Sequence, residues 1–152
     1  KQGSKRKADQ RLSPTATAIS LLVQYPHLAA TVPLPKLVTT SEYPGAQLLG
    51  KIHAITRKQG EISTAVLLER FRDQNTFHTL EKLAASNHLL EEDKVLAYFR
   101  ETLDTLEEQA VSLAITELLG VSSKTGLDQT GKDQLARLYK HRETLREAKK
   151  NA

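Results

Sequence analysis

Between Glu91 and Leu119 the sequence contains neither Gly nor Pro. At 1.5 Å per residue, such a stretch forms a helix on the order of 40 Å long. Gly120, Gly126 and Gly131 follow and mark a loop. A last polar segment, "KDQLARLYKHRETLREAKK", then has helical spacing and returns. A long helix, a glycine-rich turn and a returning helix make an αα-hairpin. Everything before it must fit into about 90 residues.

The residues before the hairpin support that reading. Ser13 is a candidate N-cap and Pro14 occupies a first helical position, a strong start signal. Ile19, Leu22 and Val23 recur at helical spacing. Pro26 interrupts "LLVQYPHLAATVP" and should end one helix and open a second short one. Residues 34–43 read as a loop. A third helix follows Pro44 and ends near Gly60, with Leu48, Leu49, Ile52 and Ile55 on its apolar face. "STAVLLERFRDQ" begins at a Ser63 cap and carries Val66, Leu67 and Phe71, and "TFHTLEKLAASNH" carries Phe77, Leu80, Leu83 and Ala84. Alternating strand patterns are missing. The expectation is an all-α chain: a compact bundle of about five short helices, then a long helix and a C-terminal αα-hairpin. By segments, 1–12 is a basic interdomain linker, 13–90 the bundle, and 91–152 the long helix and hairpin.

The long helix carries two apolar faces. Phe99, Leu103, Leu106, Ala110 and Leu113 alternate steps of four and three and form one stripe. Val111, Ile115, Leu118 and Leu119 lie about 90° or more round from it. A single returning helix does not need so wide an arc. The surplus either docks onto a partner or packs back on the bundle.

Composition narrows the chemistry. Cys and Met are both absent, so no thiolate chemistry is available, and without Met the chain is expected to be a piece of something longer. No apolar run approaches the ~20 residues of a membrane helix, and no signal peptide is expected. The net charge is +4, with net +4 in Lys1–Arg11, net +4 in Lys132–Ala152 and net −4 between them. Basic ends suggest nucleic acid. Yet four Tyr and three Phe are few for a single-strand binder, and charged helix faces and solvated tails are common. Direct nucleic-acid binding is therefore expected to be weak at most, and a basic helical nucleic-acid-binding module is the alternative function. "GLDQTGK" fits G-x-x-x-x-G-K, but Asp133 stands where a phosphate loop needs Ser or Thr, and a helix rather than a strand precedes it. It reads as the hairpin turn, with Asp128 or Thr130 capping the last helix. The five His show no ligand spacing, so no metal and no cofactor are expected. No nucleophile stands out, and a binding module is the simplest reading.

"LLVQYPHLA" followed by "VP", "YPG", "LLERFR" and "TLEKL" occur in this order with close spacing. The set resembles the C-terminal domain of the bacterial replicative DNA primase of the DnaG type. The resemblance covers Ser13 to Leu83 well and the hairpin by pattern. It implies a non-catalytic interaction domain in the cytoplasm, at the replication fork. It would dock on the N-terminal domain of the replicative helicase and recruit primase for primer synthesis, with the zinc-binding and polymerase domains lying before Lys1. It places helicase contacts on the hairpin, which this sequence translates to Val111, Ile115, Leu118 and Leu119 with Leu138, Tyr139, Arg142 and Leu145. It also implies a site for the acidic tail of single-stranded DNA-binding protein, with Arg11 and Lys82 matching the basic positions and Ile19 the apolar wall. This chain departs from the pattern at Ala16, where Arg is expected, and a carboxylate tail is held best by bidentate Arg.

Overall fold

A computed structural model of the protein describes residues 12–151. Helix α1 spans Pro14–Gln24, and the Ser13 hydroxyl accepts a hydrogen bond from the Ala16 amide at 3.1 Å. Residues Thr17 to Val23 of α1 are all buried, which makes this helix the centre of the bundle. The short α2, Leu28–Thr31, follows the Pro26 corner. Helix α3, Lys36–Thr39, lies where the sequence suggested only loop. Pro35 presets its first turn, the Thr39 and Thr40 hydroxyls donate to the Lys36 carbonyl, and Val38 is buried. Helix α4, Ala46–Gln59, runs from Gly45 to Gly60, both at positive φ.

Helix α5 spans Thr64–Glu69 behind its Ser63 cap, and α6 spans Phe77–Ala84. Val66 of α5 faces solvent rather than the core. A 3₁₀ turn at Glu92–Lys94 leads into α7, Val95–Thr125, and α8 closes the chain as Gln129–Lys150. The described residues form no strand. None of the helices is long and apolar enough to cross a membrane.

Two differences from the expected hairpin matter. Helix α7 continues through Gly120, because one glycine costs only about 1 kcal/mol amid good helix formers. The turn comes instead at Gly126, whose φ of 75° suits a residue without Cβ. Gly131 lies inside α8, and Asp128 is the cap, with its Oδ1 accepting from the Gly131 amide at 2.8 Å.

There are two cores. The larger joins α1 through α6 to the first half of α7, through Val95, Phe99, Leu103 and Leu106. The smaller joins Val111 and Ile115 of α7 to Leu138 of α8. Helix α7 therefore belongs to both. The two cores divide within this helix, after Leu106.

Candidate functional site

The hairpin seam is built from apolar residues at its middle and charges at its root. Val111, Ile115 and Leu138 are buried, and Ala114, Leu118, Leu135 and Leu145 pack around them half-buried. Leu37 of α3 joins the same cluster from the bundle. The second apolar face of the long helix is thus largely used within the molecule, by α8 and by a short helix that the sequence did not reveal. Val111, Ile115 and Leu138, expected on a docking face, are buried in this seam.

At the root, acidic residues of α7 meet basic residues of α8. Glu107 lies 2.9 Å from His141 Nε2. Glu108 takes Arg146 at 3.0 Å and Lys149 at 3.0 Å. The hydrogen bonds from Lys149 and Arg146 hold the Glu108 carboxyl below the usual range. Asp104, one turn before, is pushed up by partial burial and by the neighbouring Glu107 carboxylate. The basic end of the sequence is therefore partly balanced inside the hairpin.

Along the outer half of the hairpin some large apolar residues stay exposed, on more than one side of it. Leu119 is 44% exposed, Val121 is 49% exposed and Tyr139 is 42% exposed. The Arg142 guanidinium lies 5.3 Å from the centre of the Tyr139 ring and donates to the Ser112 hydroxyl at 3.3 Å. This holds the ring against α8 with its remaining surface in solvent. A shallow concavity at the turn is lined by Leu118, Val121, Thr125, Leu127 and Gln134. Val121 stands three residues after Leu118 at helical spacing, beyond the Gly120 that suggests a helix end in the sequence.

The residues matched to a second site lie elsewhere. Ile19 is buried in the bundle core, 3% exposed, and Ala16 packs against that core. Lys82 is exposed on α6. Arg11 lies outside the described residues. The described residues hold no group of three or more His, Asp or Glu suited to a metal ion. The P-loop-like segment is a helix cap, and His53 is a buried structural residue bonded to the Val32 carbonyl at 2.8 Å.

Residues 15–138 match the family model described as DNA primase DnaG DnaB-binding. The chain belongs to this DnaB-binding primase family. The match is to the DnaB-binding region of primase, not to its catalytic part. Among its relatives, the DNA primase of Pasteurella multocida is 33% identical over 126 residues, 83% of this chain. That of Escherichia coli K12 is 29% identical over 109 residues, 72% of this chain and 19% of the relative. The chain spans only 22% of the length of the Pasteurella primase. The solved C-terminal domain of DnaG primase from Vibrio cholerae superposes with a TM-score of 0.71 at 30% identity, covering 84% of this chain and 96% of that one. The bundle and hairpin of this chain are thus the architecture of the DnaG C-terminal domain.

Proposed function

We propose that this chain docks primase on the N-terminal domain of the replicative helicase through the outer half of the α7–α8 hairpin. Membership of the DnaB-binding family supports the partner. The observation that carries the surface is the exposure of Leu119 and Tyr139 beside a seam that is already filled, while Val121 is exposed on the opposite side of α7. Large apolar and aromatic side chains of this kind are common anchors of interfaces. In this reading Leu118, Arg142 and Leu145 support the anchors. Val111, Ile115 and Leu138 act indirectly, by keeping the two helices together. The module acts by recruitment, without chemistry of its own, at a bacterial replication fork.

The test is calorimetric titration of the chain into the isolated helicase N-terminal domain. Leu119→Asp with Tyr139→Ala should weaken binding at least tenfold while the helical circular dichroism stays native. Unchanged affinity would remove the proposed surface. A substitution at Leu138 would probe folding instead, because that residue is buried.

The second proposed partner is the acidic tail of single-stranded DNA-binding protein. Lys82 supports it, being exposed and without an ion pair among the described residues. Ala16 and the burial of Ile19 limit it. Binding should be weak, and Lys82→Glu should abolish it in a titration with the tail peptide. Nucleic acid is a poorer fit, since Arg146 and Lys149 already pair with Glu108. The 1–12 segment, in this proposal, is the linker to the rest of primase.

A further inference from the structure

The two cores meet within α7, between Leu106 and Val111. A side chain from a distant loop is fixed at that crossing. The Tyr43 hydroxyl donates to the backbone carbonyl of Gln109 at 3.0 Å. An α-helix already uses such a carbonyl for the amide four residues on, and a carbonyl oxygen has a second lone pair for the tyrosine. Tyr43 thus grips the helix at its changeover without breaking it.

The segment around Tyr43 is tied down in four further ways. Val38 is buried in the large core, and Leu37, next to it, packs against the small one. The Ser41 hydroxyl accepts from the Tyr43 amide at 3.2 Å. Gly45 lies so close to α1 that a Cβ there would stand 2.9 Å from Thr15 Cγ2. Residues Leu37 to Gly45 therefore form a strap from the central helix to the midpoint of α7.

We infer that Tyr43 is a positioning residue that sets the angle of the hairpin to the bundle. Beyond Leu106, α7 has left the large core, and nothing in α8 returns to it. The strap is what reaches from the bundle to the outer half of the hairpin. Its consequence for affinity rests on the docking reading above. A tip held at one angle meets the helicase ready for contact. A tip free over many angles binds as the fraction in the right one, so a fivefold loss of that fraction raises the apparent Kd about fivefold.

The angle itself can be measured without any partner. The chain has no Cys, so Lys58→Cys on the bundle and Ser123→Cys at the tip accept nitroxide labels selectively. Pulsed electron–electron distances should give one narrow distribution. Tyr43→Phe should broaden it, and Tyr43→Ala should broaden it more and shift its mean. A label pair within the hairpin, Thr116→Cys and Lys140→Cys, should be unaffected. Native distributions in both Tyr43 variants would overturn the inference. So would equal broadening of the pair within the hairpin, since that reports loosening of the seam. The docking reading fails separately, if the tip substitutions leave helicase affinity unchanged whatever the distances do.

Discussion

The Ser20 hydroxyl lies 2.7 Å from His88 Nε2 and donates to the Leu83 carbonyl at 2.6 Å. A hydroxyl has one proton, so its oxygen must accept from the histidine. His88 therefore carries a proton on Nε2. The Gln24 amide closes the network, donating to Ser20, Leu83 and Ser86. These bonds fix the end of α6 and the following loop to α1.

Burial pushes the His88 pKa down from 6.5. The folded state therefore binds the proton less tightly than the unfolded chain does. Its stabilising contribution is full above about pH 6.5 and falls as the pH drops below it. Thermal melts should show a lower Tm at pH 5.5 than at pH 7.5. His88→Gln should reduce that difference while lowering Tm at both pH values. An unchanged pH difference in the variant would assign the effect to another group.

The Glu108 carboxyl is held down by Lys149 and Arg146, so its contribution is present above the ordinary value of 4.5 and is lost as pH falls through the lowered one. Its partners are partly exposed, which limits the contribution to about 1 kcal/mol or less. Glu108→Gln should speed amide hydrogen exchange in the last turns of α8 and leave α1 as it was. In 1 M salt the native chain should approach the variant.

Gly45 has φ of 86° and almost no room for a side chain. Gly45→Ala should destabilise the chain by about 1–3 kcal/mol in urea unfolding. Thr15→Ser removes the methyl that a Cβ would meet. The double variant should recover part of the loss, leaving the share due to backbone conformation.

Leu89 is 87% exposed and has φ of 52°, the left-handed region. Its amide is held by the Asn87 side chain at 2.8 Å. A leucine there costs roughly 1–2 kcal/mol, which Asn tolerates better. Leu89→Asn should therefore raise stability by up to about 1 kcal/mol, read from the urea midpoint. A decrease would show that the exposed leucine makes contacts of its own.

Local chemistry was legible where one residue decides the outcome. Ser13 and Pro14 placed the start of α1 and Pro26 placed its corner, and of the two caps offered for the last helix, Asp128 and Thr130, Asp128 serves. The ordered motifs from "LLVQYPHLA" to "TLEKL" placed the family. Less was legible where the answer depends on distant residues. The periodicity of Val111 and Ile115 showed that they seek apolar contact. It could not show that α8 and Leu37 supply that contact inside the molecule. Helix α3 is hidden in the sequence because its four residues after Pro35 carry too little periodicity. Gly120 misled because its cost is local, whereas helix length is settled by the whole segment.

Helix α7 runs without a break from Val95 to Thr125, with Phe99 fully enclosed by the bundle and Val121 in solvent near the turn. Its 31 residues span about 46 Å. A sideways push on the tip is passed down this helix rather than taken up in a loop. It becomes torque, borne at Gln109 and at the packing around Phe99. When a partner moves, the whole bundle must turn with it.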